Sequence, residues 1–202
     1  MTSATRRPAG ERTHAAILRE AVSLATVHGL DGLSIGELAA ALDMSKSGLY
    51  AHFGSKQDLQ LATVEEAGRI FQEEVIEPGL AAAPAGVPQL LALCEAFFAH
   101  LERRTFPGGC FFAGAVLEMG PRPGPVNERV GDFQRSLSGV VRELVVAALD
   151  AGQLPADEDA DQLAFEVNGI ILAANTNFVL TQDPAGLEVA RRVVRRRLHV
   201  SG

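Results

Sequence analysis

Five side chains able to donate hydrogen bonds, Lys46, Ser47, Tyr50, His52 and Lys56, fall within one short stretch of the chain. Ammonium, phenol and imidazole groups can reach phosphate oxygens, and short polar side chains beside them can meet base edges. Leu49 and Phe53, four residues apart, turn one face of this stretch inward. That leaves Ser45, Lys46, Ser47 and Gly48 outward near a helix start. Glycine inside a helix costs about 1 kcal/mol against alanine, so Gly48 implies that a backbone must approach something closely, and DNA is the natural candidate. Lys46 and Lys56 are the chain's two lysines, and both lie in this stretch.

Other reactive residues lack the company that catalysis requires. Ser136, Ser138 and His100 have no nucleophile or base motif around them, and no glycine-rich phosphate loop follows a strand. An enzyme is therefore not expected, and no cofactor is implied. Cys94 and Cys110 have neither Cys-x-x-Cys spacing nor nearby paired histidines, so no metal site or disulfide framework is expected. Cys110, in GGCFFAGAVLE, stands at a predicted helix start, where the helix dipole favours thiolate. An electrophile- or redox-sensing thiol and an inert buried cysteine are both compatible with that placement.

The elements that must position the donor stretch are helical. Residues 11–28 carry Ile17, Ala21 and Leu24 on one stripe, and Gly29 ends the run. Ser34 three residues before Glu37 predicts a capping box, Ser45 predicts a second cap, and Ser55 with Asp58 starts a longer helix reaching about Val75. Two short helices joined by a tight turn and braced by an earlier helix form a helix-turn-helix. The Pro- and Ala-rich EPGLAAAPAGVP, from Glu77 to Pro88, reads as the main connecting loop. Helices are then expected from Pro88 to Arg104, from Cys110 to Met119, from Val126 to about Ala147, from Asp157 to Leu180 and from Ala185 to His199. No strand alternation persists. The fold class is all-α, with a flexible basic arm (1–9), a three-helix DNA-binding domain (10–56) and a helical effector-binding and dimerisation domain (57–202).

Net charge is −7, and its distribution orients any nucleic-acid contact. Residues 1–56 hold six basic and five acidic side chains, whereas residues 57–185 hold seven basic and nineteen acidic. Residues 186–202 add five arginines and one glutamate. An acidic body repels DNA, so the binding face must be N-terminal. The arginines at 191, 192, 195, 196 and 197 read as a solvated face complementing that body. Without a signal peptide or an uninterrupted apolar span, a cytoplasmic protein with no membrane association is expected.

SIGELAAALDMSKSGLYAHFGSKQDL resembles the TetR family signature, which runs S/T-[IV]-x-x-[IL]-A, then G-[VM]-S-x-[GS]-x-[LI]-Y-x-[HY]-F-x-S-K-x-x-L. The resemblance covers roughly residues 11–61. It implies that Lys46, Ser47 and Gly48 face base edges and that Tyr50, His52 and Lys56 hold phosphates, with Ser34 and Thr13 as secondary phosphate contacts. Arg6 and Arg7 would reach the backbone or minor groove. Asp43 departs from the pattern, standing where the family has glycine in a left-handed turn; Asp is among the few residues that tolerate that region.

The resemblance further implies a ligand-responsive repressor that binds palindromic double-stranded operator DNA as a homodimer. The spacing of Val126, Val130, Phe133, Leu137, Val140, Leu144 and Ala147 makes that helix, with the small-residue helix after Asp157, the expected dimer pair. Phenylalanines cluster outside the reading head, and a small apolar or aromatic effector is expected among them. Its expected contacts are Phe98, His100, Cys110, Phe112, Phe133, Asn168 and Asn175. Two other readings stand beside this one, a Cys110-based sensor and a helical protein-interaction module without DNA binding.

Overall fold

The computed structural model describes residues 9–200, and the side chains of all of them but 9, 11 and 12; the basic arm with Arg6 and Arg7 lies outside the described residues. Among the described residues there is no strand. α1 (Ala9–His28) ends at Gly29, whose φ of 83° is left-handed. α2 (Ile35–Ala41) and α3 (Lys46–Tyr50) follow, each opened by a serine hydroxyl accepting the N–H three residues on: Ser34 from Glu37 and Ser45 from Gly48. α2 closes in a Schellman motif, with Met44 N–H on Ala39 O at 2.9 Å and Asp43 N–H on Ala40 O at 3.3 Å. Asp43 takes the left-handed position itself, at φ 50°. Ile17, Ala21, Leu38, Leu49, Phe53 and Leu59 are buried together beneath these helices.

α4 (Lys56–Phe71) starts on the Ser55 cap and does not stop near Val75. It runs through a π-helical turn (Gln72–Ile76) into α5 (Glu77–Ala81). The expected loop from Glu77 to Pro88 is thus half helix. Glu77 N–H bonds Gln72 O, five residues back. Pro78 has no N–H to donate, so the Glu74 carbonyl is free for Arg103 at 3.4 Å, and the proline is accommodated without a break. Gly79 lets α5 press onto the next helix, since a Cβ there would stand 2.7 Å from Leu93 Cα.

The body continues with α6 (Val87–Arg103), α7 (Phe111–Met119), α8 (Pro125–Asp150), α9 (Ala160–Thr181) and α10 (Ala185–Arg197). α8 packs against α4, α6, α7 and α9. Val126, Val130 and Leu144 of its seam are buried, and Phe133, Leu137 and Val140 pack partly buried against the same core. That seam therefore packs within its own subunit. Exposed apolar side chains include Phe165, Leu172 and Leu180 on α9 and Val189 and Val193 on α10, besides Val27 on α1 and Val116 and Leu117 on α7. α9 is also the one helix among the described residues long and apolar enough, by length and composition, to cross a membrane.

Two of the five C-terminal arginines are anchored on acidic side chains, and Arg192, Arg195 and Arg196 are exposed. Arg191 bridges Glu95, Glu102 and Glu188 at 2.7–3.0 Å, and Arg197 bridges Glu158 and Glu166.

Candidate nucleic-acid interface and effector cavity

The second helix of the reading head presents its polar side outward. Lys46, Ser47 and Tyr50 are exposed, Tyr50 by 54%, while Leu49 is fully buried on the opposite face. Ser45 is committed to capping, with its oxygen 3.0 Å from Gly48 N and 3.2 Å from the Ser47 hydroxyl. Around Gly48 a Cβ would meet only Ser45 Oγ at 3.1 Å and Met44 Cε at 4.0 Å. No crowded neighbour within the chain demands glycine there. Lys46 lies back along α2, its Cε and Nζ 3.2 and 3.4 Å from where a Cβ on Gly36 would be.

His52 is half-buried in a ring cluster, 5.8 Å from His14 and 6.4 Å from Phe53 between centroids. Thr13 is exposed on α1, and Ser34 is half-buried with its hydroxyl engaged as a cap. Lys56, in the first turn of α4, is exposed and donates to Asp31 O at 2.6 Å. The fold thus brings Lys46, Ser47, Gly48, Tyr50, His52 and Lys56 to α3, the turn after it and the start of α4, with Thr13 and Ser34 on the neighbouring elements.

That lysine contact belongs to a wider clamp on the turn between α1 and α2. Glu118, at the end of α7, accepts Leu30 N–H at 2.7 Å and Asp31 N–H at 2.8 Å. Arg122 reaches Asp31 Oδ2 at 2.6 Å, and Gln60 of α4 donates to Leu30 O at 2.9 Å. Gly29 is needed twice over, for its left-handed backbone and because a Cβ would lie 2.5 Å from Glu118 Oε1. Sequence reasoning passed over Glu118 because no local pattern announces a partner 88 residues away.

Within the body, a cavity of about 610 Å³ opens between α4, the π-turn, α6, α7, α8 and α9. Phe71, Val75, Leu93 and Phe97 give it apolar walls, and Gln134, Ser138, Arg142, Asp161, Asn168 and Asn175 supply polar groups. Cys110, Asn168 and Asn175 line it as expected contacts; the other expected residues do not. Phe98 is core, and Phe112, fully buried, lines with Phe133 a separate cavity of about 320 Å³. Phe133 is held there by Arg129, whose guanidinium carbon stands 4.2 Å from the ring centroid.

His100 is buried outside the cavity, its Nδ1 3.0 Å from Glu74 Oε2 and its ring edge-on to Phe106 and Phe71. Burial pushes its pKa down, and nearby Arg103 adds to this, while Glu74 pulls it part of the way back. Burial opposes ionisation of Glu74 too, but hydrogen bonds from Thr105, His100 and Arg103 outweigh it and hold the carboxyl below its ordinary range. This cluster ties the π-turn to the end of α6.

The thiol at the start of α7 is buried, as in the second of the two readings compatible with its position. Cys110 is 8% exposed, and burial pushes its pKa up against the weaker pull of the Phe112 and Ala113 N–H groups. The thiol therefore stays protonated, and desolvation overrides the helix dipole. Cys94 is buried as well and is pushed up to about 12.

A helix-turn-helix with an exposed donor face, joined to a helical body that holds an apolar cavity, defines a ligand-binding transcriptional regulator. Residues 17–63 match the model for bacterial regulatory proteins of the tetR family, and residues 86–194 match the tetracyclin repressor-like C-terminal domain. The chain belongs to the TetR family of DNA-binding transcriptional repressors with ligand-binding C-terminal domains. It is 26% identical over 164 residues to the transcriptional regulator AcuR of Cereibacter sphaeroides, covering 78% of this chain and 72% of that one. A TetR regulator from Chloroflexus aurantiacus superposes with a TM-score of 0.85 at 26% identity, over 94% of this chain and 96% of that one. AibR, solved with isovaleryl coenzyme A and operator DNA, superposes with a TM-score of 0.73 at 22% identity, over 91% and 96% of the two chains.

Proposed function

We propose that this protein is a cytoplasmic, non-enzymatic homodimer that represses transcription by binding a palindromic operator and leaves it when a small apolar or aromatic effector fills the body cavity. The observation that carries the reading is the donor face on α3 and the start of α4, set on a doubly capped, apolar-anchored scaffold. Lys46, Ser47 and Gly48 meet base edges; Tyr50, His52 and Lys56, with Ser34 and Thr13 beside them, hold phosphates. The domain division at residue 56 separates the reading head from the effector body, with α4 belonging to both by contact.

The dimer uses α9 and α10. Phe165, Leu172 and Leu180, spaced seven and eight residues apart, share one face of α9, and Phe165 and Leu180 are 79% and 82% exposed. Val189 and Val193 continue the apolar surface on α10. Large apolar side chains so exposed mark a surface that associates. Phe165 and Leu172 also rim the cavity, so the mate covers part of its mouth. Two such readers meet half-sites about 34 Å apart, and an effector that favours a different spacing shifts the population off the DNA.

Selection of bound duplexes from random DNA tests this directly. A palindromic consensus is expected. Lys56→Ala should weaken binding to all sequences and flatten its salt dependence, whereas Ser47→Ala should alter base preference. Recovery of no consensus, with affinity unmoved by Lys46→Ala and Tyr50→Ala, would leave the helical protein-interaction reading instead.

A further inference from the structure

The cavity wall contains one deeply set polar group with half of its hydrogen-bonding capacity unspent. Asn175 lies on α9, is 8% exposed and lines the cavity. Its Oδ1 accepts the N–H of Cys110 at 2.8 Å. That bond fixes the amide orientation, because the Cys110 N–H needs an acceptor. Nδ2 is left with two hydrogens and no partner among the described residues. Asn168, two turns earlier, differs: its Nδ2 donates to Ala164 O at 2.8 Å. The cavity that Asn175 lines has apolar walls of Phe71, Val75, Leu93 and Phe97, with Gln134, Ser138, Arg142 and Asp161 also on it. A wholly apolar ligand would strip water from the amide hydrogens and return nothing, which is the expensive way to bury a donor.

We infer that the effector carries a carbonyl oxygen on an otherwise apolar body, and that Asn175 Nδ2 donates to that oxygen. This rests on the reading of the cavity as the effector site. The same amide then serves two ends: its nitrogen reads the ligand, and its oxygen holds the N–H of Cys110, the N-cap residue of α7. A ligand that pulls on Asn175 therefore acts on the start of the helix whose far end, Glu118, grips the α1–α2 turn. Chemistry in the cavity reaches the reading head along a single nine-residue helix.

Two probes of matched shape test the assignment on the full chain by calorimetry: 2-acetylnaphthalene, which has the carbonyl, and 2-isopropenylnaphthalene, in which a CH2 group replaces the carbonyl oxygen. The protein is expected to bind the ketone about tenfold more tightly, the worth of one satisfied buried donor. Asn175→Asp keeps an acceptor for Cys110 N–H and, at alkaline pH where the carboxyl is ionised, has no donor. At that pH it should abolish the ketone preference.

Equal affinity of the unaltered protein for both probes, or a ketone preference that survives in Asn175→Asp, overturns the role of Asn175 and leaves the cavity reading intact. Binding of neither probe overturns both. Should the variant fail to fold, the two-probe comparison on the unaltered chain still decides. So does the infrared carbonyl stretch of the bound ketone, expected to fall in frequency and overturning the assignment if it does not.

Discussion

Replacing Glu118 with alanine isolates the joint between the cavity wall and the DNA reader. The carboxylate accepts two backbone N–H groups, from Leu30 at 2.7 Å and Asp31 at 2.8 Å. Hydrogen bonds to a charged group contribute about 1.5–3 kcal/mol each when sheltered, and far less when water can replace them. The Leu30 bond is partly buried and the Asp31 bond exposed, so together they contribute about 2 kcal/mol to holding the turn, by that scale. At about 1.4 kcal/mol per decade, losing them should raise the local opening equilibrium roughly 30-fold.

Amide hydrogen exchange followed by NMR reads that quantity directly at Leu30 and Asp31. Both should lose protection in Glu118→Ala, and in Glu118→Gln, which keeps one carbonyl oxygen, the loss should be about half as large in free energy. Amides in the middle of α9, far from the joint, should be unaffected. Operator affinity should fall with the fraction of molecules whose turn is closed. Unchanged exchange at both amides in Glu118→Ala would refute the clamp.

Three further substitutions or conditions probe the head and the body. Gly48→Ala should change unfolding free energy in urea by less than about 1 kcal/mol, since only the Ser45 hydroxyl is close, yet lower DNA affinity in a fluorescence anisotropy titration by tenfold or more. Asp43→Gly should raise stability by up to about 1 kcal/mol by relieving the left-handed strain at φ 50°, and the lost negative charge should tighten DNA binding.

The third concerns pH. His100 has a lowered pKa in the folded state, so the unfolded chain takes up a proton near its ordinary 6.5 that the folded chain refuses. Urea midpoints should therefore fall as pH drops below about 6.5. Glu74, also lowered, adds a second loss below 4.5, where the unfolded carboxyl protonates first. His100→Asn should remove the first fall and leave the second.

The reading head was legible because its signals are local. Each serine cap lies three residues from the N–H it accepts, and the left-handed turn was marked by Asp43 standing where the signature has glycine. The body was less so. Pro78 and its neighbours look like a loop because local propensity cannot register that Arg103, from the next helix, takes over the carbonyl the proline leaves free. The α8 seam has the spacing of a helix partner, but periodicity does not say whether that partner lies in the same chain; Val130 and Leu144 found theirs within it. Phe98, Phe112 and His100 carry the right chemistry for a pocket, and only packing decides that they form the core while Asn175 meets the cavity.

The α1–α2 turn lets DNA and effector oppose each other through one short piece of backbone. Lys56 donates one hydrogen to Asp31 O, and an ammonium has two more. It can therefore hold a phosphate without releasing the turn, so phosphate contact and turn closure reinforce one another. Glu118 closes the same turn from the other side, and its position depends on α7, a wall of the cavity through Ala113, Val116 and Leu117. A ligand that displaces α7 draws the carboxylate from Leu30 and Asp31 and loosens the base on which Lys56 rests. Linkage makes the effect reciprocal: DNA that steadies Lys56 must disfavour, by the same free energy, any ligand that needs α7 displaced. With an acidic body repelling the duplex and two lysines in the whole chain, a change at one of them weighs heavily on affinity.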